Sequence, residues 1–224
     1  MGRLYDATWG RAFARFYDRA LKATEENGLG AMRVALLAEA RGRVIEVGAG
    51  TGVNLDLYDE NIEDLTLVEP DPHMAAQLRE RLAAPDRRLS TTGRQASGGA
   101  RLVDAPAEAL PCADDTFDTA VATLVLCTIP DPGAALAELA RVLKPGGRLL
   151  FIEHVRSDDP DSARWQDRLE KPWRFMADGC YCNRDTETTL GASAFTVERI
   201  EHGSMPKAMP LVRPLIRGTA ILAD

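Results

Sequence analysis

The chain has 224 residues, 45% of them hydrophobic and 27% charged, with a formal net charge of −7. That length supports one sizeable α/β domain with its own core. The acidic balance argues against duplex binding, which needs basic stripes to neutralise phosphates, and against docking on anionic lipid. No apolar run approaches the roughly eighteen residues of a membrane span. The opening Met1-Gly2-Arg3-Leu4-Tyr5-Asp6 has no signal-peptide core, so a cytoplasmic location is expected.

The first predicted element is a helix over 9–26. Phe13, Phe16, Tyr17, Ala20 and Leu21 share one apolar face, and Asn27-Gly28 ends it. Tyr5 and Trp9 precede this helix and are expected to fold back over a ligand as a lid. A second helix over 31–40 leads into a buried strand at 44–47. Three alternating glycines follow, and 53–58 is expected to begin a helix. A second strand spans 65–68. Asp71-Pro72 then opens a helix to about residue 83, with Asp71 as its N-cap. The polar stretch 85–100 is expected to be a mobile insertion.

A short third strand is predicted at 101–104 and a strongly apolar fourth at 117–126, as a parallel sheet demands. Asp131-Pro132 caps a helix with Leu136, Leu139, Ala140 and Leu143 on one face. Lys144-Pro145-Gly146-Gly147 is expected to break it before a fifth strand at 148–152, which ends at Glu153-His154. Strand and helix alternate to this point, which predicts a parallel sheet with right-handed crossovers. A helix over 161–178 with a kink at Pro172 follows. Two strands, 193–200 and 212–222, then read as an antiparallel hairpin at the sheet edge. The whole is one domain. Residues 1–41 form a helical lid, 42–155 a cofactor-binding core and 156–224 a substrate-side helix with the last strands.

Chemistry is expected beyond the carboxyl ends of the parallel strands. The first strand ends in Val44-Ile45-Glu46-Val47-Gly48-Ala49-Gly50-Thr51-Gly52. Glycines there let backbone approach a ligand closely, and a helix start aims free N–H groups at it. The spacing is G-x-G-x-G, whereas the dinucleotide fingerprint is G-x-G-x-x-G. Glu69-Pro70 ends the second strand, and a carboxylate there suits both hydroxyls of a ribose. The third strand end offers Asp104, Ala107 and Glu108; the fourth Leu124 to Cys127; the fifth Glu153 and His154. No partner for a pyrophosphate is evident, which points to a nucleoside with a small zwitterionic tail. The four cysteines (Cys112, Cys127, Cys180 and Cys182) include one C-x-C without a nearby histidine, so no metal site is expected.

As a set, the glycine stretch, Glu69, residues 118–125 and Leu143-Lys144-Pro145-Gly146-Gly147 resemble the motifs of class I S-adenosylmethionine-dependent methyltransferases. The resemblance implies a Rossmann-like three-layer α/β sandwich, whose seven-stranded, mostly parallel sheet has an antiparallel last strand. It also implies cofactor roles. Gly48, Ala49, Gly50, Thr51 and Gly52 would bound the methionine and ribose portions. Glu46 would sit near the ammonium and Glu69 would hold the ribose. Pro70, Ala107, Glu108 and Leu124 would surround the adenine end, and Asn54 and Tyr5 would contact the cofactor. A narrower resemblance rests on Thr123-Leu124-Val125-Leu126-Cys127, Glu153-His154-Val155, Asp178-Gly179-Cys180 and Leu211-Val212-Arg213-Pro214. These are similar to the methyltransferase-like 7 family, described as alkyl thiol S-methyltransferases.

The resemblance implies transfer of a methyl group from S-adenosyl-L-methionine to a small apolar acceptor, first of all a thiol, leaving S-adenosyl-L-homocysteine. A thiol must lose its proton to react. His154 is the expected base, with Asp178 orienting it or acting alone, and Cys180 is read as packing. Trp165, Trp173, Phe175, Met205 and Met209 are expected to wall an apolar acceptor pocket. Other readings are a phospholipid or amine N-methyltransferase, a quinone or natural-product methyltransferase, a nicotinamide oxidoreductase and a non-catalytic S-adenosylmethionine-binding protein. No nucleic-acid or integral-membrane partner is expected.

Overall fold

The computed structural model describes residues 10–59, 62–84 and 99–223. Tyr5, Trp9 and nearly all of the expected insertion at 85–100 lie outside the described residues. The helices are α1 (Arg11–Thr24), α2 (Gly30–Leu37), α3 (Pro72–Ala83), α4 (Pro132–Val142), α5 (Pro160–Met176) and α6 (Thr186–Gly191). The strands are β1 (Gly42–Val47), β2 (Ile62–Val68), β3 (Ala100–Val103), β4 (Phe117–Thr123), β5 (Leu143–His154), β6 (Phe195–Ser204) and β7 (Pro214–Leu222). They form one seven-stranded sheet in the order β3-β2-β1-β4-β5-β7-β6. The strand order reverses at β1, which pairs in parallel with both β2 and β4. β7 inserts between β5 and β6 and runs antiparallel to both.

Alternation along β1 builds the layers. Ile45 and Val47 pack with Phe117, Leu136, Leu139 and Phe151 on one face. Val44 packs with Leu36, Leu37, Leu65, Leu78 and Leu150 on the other. Strands buried on both faces are therefore apolar almost throughout. Aspartate starts the major crossover helices. Asp71, Asp131 and Asp159 each precede a proline and accept backbone N–H bonds from the first turn at 2.7–3.0 Å. Proline at N1 gives up no hydrogen bond there.

The structure departs from the sequence reading in four places. Residues 51–57 form successive turns and no helix, closed by i to i+3 bonds such as Gly52 N to Ala49 O at 2.9 Å and Leu55 N to Gly52 O at 3.1 Å. Left-handed backbone at Gly48, Gly50 and Gly52 prevents a regular helix from starting there. The fourth strand stops at Thr123, because Glu153 Oε1 takes the N–H groups of Val125 (2.9 Å) and Leu126 (3.0 Å). Lys144-Pro145-Gly146-Gly147 belongs to β5, with an irregularity in its pairing to β4 that absorbs the glycines. The short α6 precedes β6 and had no sequence signal beyond Asp185, whose side chain caps it.

One buried side chain ties the last third together. Gln166 of α5 is 1% exposed. Its amide donates to Cys182 O and Leu211 O, both at 2.9 Å, and to Val155 O at 3.1 Å, while its Oε1 accepts from Ser157 N at 2.8 Å. Replacing Gln166 with leucine strands these groups in an apolar interior. A loss of about 2–3 kcal/mol is expected in denaturant unfolding. A loss under about 0.5 kcal/mol would show that α5 is held by its apolar contacts alone.

Candidate active site

The glycine turn after β1 is shaped by two close approaches. A Cβ on Gly48 would lie 2.0 Å from Val125 Cγ2, and one on Gly52 would lie 2.6 Å from Leu78 Cδ1. Both residues are left-handed, with φ of 63° and 87°. The turn thus sits flush against the end of β4 and against α3. Glu69, at the end of β2, holds the turn from the other side. Its Oε2 accepts from Gly50 N at 2.7 Å and its Oε1 from Asp71 N at 2.8 Å. Burial pushes the Glu69 carboxyl up to about 7, and the two backbone N–H bonds offset only part of that.

A cavity of about 390 Å³ opens beside this turn, at the carboxyl ends of β1, β2 and β4. Gly48, Gly50, Glu69 and Pro70 line it, as do Ala107, Glu108, Leu124 and Asp178. These eight predicted site residues, far apart in the chain, converge. Ala49, Thr51 and Gly52 build the turn from behind. Thr51 is fully buried and donates through Oγ1 to Asp18 Oδ1 of α1 at 2.6 Å. Tyr5 falls outside the described residues.

Glu46 and Asn54 lie beneath the turn and do not line the cavity. Glu46 is 2% exposed and accepts from Tyr58 Oη at 2.6 Å and Asn54 Nδ2 at 2.9 Å. Asn54 and Thr123 both meet buried Arg33, whose Nη1 is 3.1 Å from Asn54 Oδ1 and 2.7 Å from Thr123 Oγ1. Arg33 Nε also pairs with Glu25 at 3.1 Å. Burial raises the Glu46 carboxyl, and its two hydrogen bonds pull the other way.

Sequence reasoning missed several lining residues. Phe13 and Tyr17 of α1 form part of the wall, their ring centroids 5.4 Å apart. Their helical spacing placed them on the apolar face, but nothing in the spacing said what that face covers. Two lining residues, Leu124 and Asp178, are non-glycine residues in left-handed backbone, with φ of 56° and 46°. Such positions cost roughly 1–3 kcal/mol each and cluster at functional sites.

Residues 45–151 match the family model for a methyltransferase domain. Human thiol S-methyltransferase TMT1B is 35% identical over 189 residues, which cover 83% of this chain and 73% of that protein. The chain belongs to this family of S-adenosylmethionine-dependent methyltransferases. Phosphatidylethanolamine N-methyltransferase of Cereibacter sphaeroides is 32% identical over 75% of this chain and 72% of its own length. Among solved structures, N-methyltransferase NodS from Bradyrhizobium japonicum in complex with S-adenosyl-L-homocysteine has a TM-score of 0.61 at 17% identity. It covers 89% of this chain and 87% of that chain, a likeness of fold.

The methyltransferase cavity suits its donor. A buried carboxylate and a glycine turn stand beside apolar walls, in a volume typical of small-molecule sites. His154, by contrast, does not line it. It ends β5, is 4% exposed, and its Nε2 lies 3.0 Å from Cys180 Sγ. Burial alone would lower the imidazole, but Cys180 and Glu153 outweigh it and hold His154 above the ordinary histidine value. Cys180 Sγ accepts from Cys127 and His154, and from Trp173 Nε1 at 3.3 Å, so its thiol is held well below the usual range. Cys127, which donates to Cys180 and is buried, is pushed up. Burial also raises the neighbouring Glu153 to about 7.

The residues expected to wall an acceptor pocket do not reach this cavity. Trp165, Trp173 and Met209 line a separate groove of about 390 Å³ beside α5, Phe175 is exposed, and Met205 packs in the core. Trp165 and Trp173 of α5 do line an apolar recess, but that recess shares no lining residue with the cofactor cavity.

Gly48→Ala places a methyl group inside Val125 and forces left-handed backbone on alanine. A loss of at least about 2 kcal/mol in thermal unfolding is expected, with weakened S-adenosylhomocysteine binding. Wild-type stability and affinity in that variant would show that the turn is not set by this contact.

Proposed function

We propose that the chain methylates the sulfur of a small apolar thiol in the cytoplasm. The observation that carries this reading is the cavity wall, where Glu69 and Asp178 stand among apolar side chains. The kinship with human TMT1B supports a thiol as acceptor. The net charge of −7 favours a small molecule over nucleic acid. Among the described residues, no helix is long and apolar enough to cross a membrane.

Bound S-adenosylmethionine supplies a methyl group on a sulfonium, already activated toward a thiolate. The chain's own contribution is placement and proton removal. Glu69 would take the ribose hydroxyls, with Gly48, Gly50 and Pro70 at the same end, and Ala107, Glu108 and Leu124 would hold the adenine. Glu46 and Asn54 act at one remove, by holding the glycine turn. Phe13, Tyr17 and Ile129 exclude water from the acceptor. Asp178 accepts the thiol proton at its carboxylate, a role that passes to it because His154 is turned into the protein. Thiolate attack needs little more, since a free thiol ionises near pH 8.5.

Calorimetric titration with S-adenosylhomocysteine and NAD, followed by an acceptor screen, tests the reading. Binding of the adenosyl ligand and turnover on small apolar thiols are expected. Turnover confined to phosphatidylethanolamine vesicles would overturn the thiol assignment, and binding of NAD alone would overturn the cofactor. Asp178→Asn is expected to lower kcat at least about ten-fold near neutral pH, with recovery as pH rises toward the thiol pKa. An unchanged pH–rate profile removes Asp178 from proton transfer.

Affinity for the cofactor product has its own pH signature. Glu69 titrates near 7 in the free protein, so its carboxylate form is depleted below that value. S-adenosylhomocysteine should therefore bind about ten-fold more weakly at about pH 6 than at about pH 8. Glu69→Gln should flatten this dependence and weaken binding at the higher pH. A wild-type affinity independent of pH would mean that the ribose is not held by an ionised Glu69.

A further inference from the structure

Three soft donor atoms meet in the partition between the cofactor cavity and the α5 groove. Cys127 follows the end of β4, His154 ends β5, and Cys180 follows α5. The two sulfurs and a ring nitrogen lie within 4.8 Å of one another. All three side chains are buried, at 2%, 4% and 8% exposure. Neither cysteine is in a disulfide. Residues on either side of Cys127, Val125 and Thr128, line the cavity, while Trp173, which donates to Cys180 Sγ, lines the groove.

The supports of this cluster are rigid. His154 is held in register with Leu215 of β7. Cys127 O accepts from Tyr181 N at 2.9 Å, which clamps the two cysteine-bearing turns to each other. Buried donors fixed in this way on three separate elements are preorganised as a metal centre needs, and His154 Nδ1 is buried without a hydrogen-bond partner among the described residues.

We propose that Cys127, His154 and Cys180 bind one soft divalent cation of the zinc class. Two sulfurs and one imidazole form a ligand set that zinc accepts with three protein ligands, leaving a fourth position for water or a soft exogenous ligand such as a thiolate. Tetrahedral bonds of about 2.3 Å to sulfur and about 2.0 Å to nitrogen put ligand atoms roughly 3.5–3.8 Å apart. The present separations, 3.0 Å from His154 Nε2 to Cys180 Sγ and at most 4.8 Å across the cluster, are within about 1 Å of that spacing. Binding forms two metal–sulfur bonds and one metal–nitrogen bond and releases to solvent whatever protons the two sulfurs and the bonding ring nitrogen carry. Two thiolates neutralise the dication, so the buried site carries no net charge. Trp173 Nε1–H then bonds to a metal-held sulfur, as outer partners do in such centres. The site does not depend on the identity of the methyl acceptor.

Elemental analysis of the tag-free full chain, purified under reducing conditions, is expected to find about one zinc per chain. Chelator-treated protein titrated with cobalt(II) should develop a thiolate-to-cobalt charge-transfer band. Cys127→Ser, His154→Asn and Cys180→Ser should each lose the bound zinc and the band, while Cys112→Ser keeps both. S-adenosylhomocysteine binding reports that each variant is folded. A wild-type chain that holds no zinc and gives no cobalt band would overturn the proposal. So would an equal band in a folded Cys180→Ser variant. Should that variant fail to bind the adenosyl ligand, a folded Cys127→Ser or His154→Asn decides in its place.

Discussion

A single buried carboxylate, Glu46, organises the centre of this methyltransferase. It lies in the middle of the sheet, where an unpaired charge is costly. Tyr58 and Asn54 bond to it directly, Thr123 bonds to Asn54, and Arg33 reaches both Asn54 and Thr123. One connected set of polar atoms therefore joins α2, the segment after the glycine turn, β1 and the end of β4. Of that set only Thr123, at the end of β4, lines the cavity itself, and Gly48 follows directly on β1. Satisfying the carboxylate and positioning the cavity are the same physical requirement.

A second carboxylate does the corresponding work at β5. Glu153 Oε1 captures two consecutive backbone N–H groups just after β4. That ends the strand, and Leu124 enters left-handed backbone with its N–H bonded to Ile152 O at 2.7 Å. The strained residue faces the cavity because its neighbours leave it no other path. Asp178 reaches the same cavity from the turn after α5, again in left-handed backbone. Local backbone energy is thus given up at two positions of the wall, and the sheet and α5 hold both.

Charge in the interior follows one pattern. Glu69 and Glu153 are both raised to about 7 by burial, although each accepts at least two backbone N–H bonds. Desolvation outweighs hydrogen bonding at both sites. A carboxyl poised near neutrality beside an apolar cavity can exchange a backbone partner for a ligand hydroxyl at modest cost. The Cys127–His154–Cys180 group stands in the same low-polarity wall, its two sulfurs and a ring nitrogen within 4.8 Å of one another.

The sequence by itself determined the alternation of strands and helices, the Asp-Pro helix starts, the glycine turn and Glu69. Each is a local matter of side-chain period, capping chemistry or the absence of a Cβ, so it can be read along the chain. It also determined which residues gather at the strand ends, because parallel strands must present their carboxyl ends together. Tertiary structure alone decided the rest. Glu46 and Asn54 bond to each other in the interior, with Tyr58, Thr123 and Arg33, which comes from a helix ahead of the sheet, completing the set. His154 turned away from the acceptor, and the aromatic face of α5 came to line a separate groove. The meeting of Cys127 with Cys180 had no signature in spacing, since the two are far apart in the chain and on different elements. Contacts of that kind depend on strand order and crossover path, which no short stretch of residues encodes.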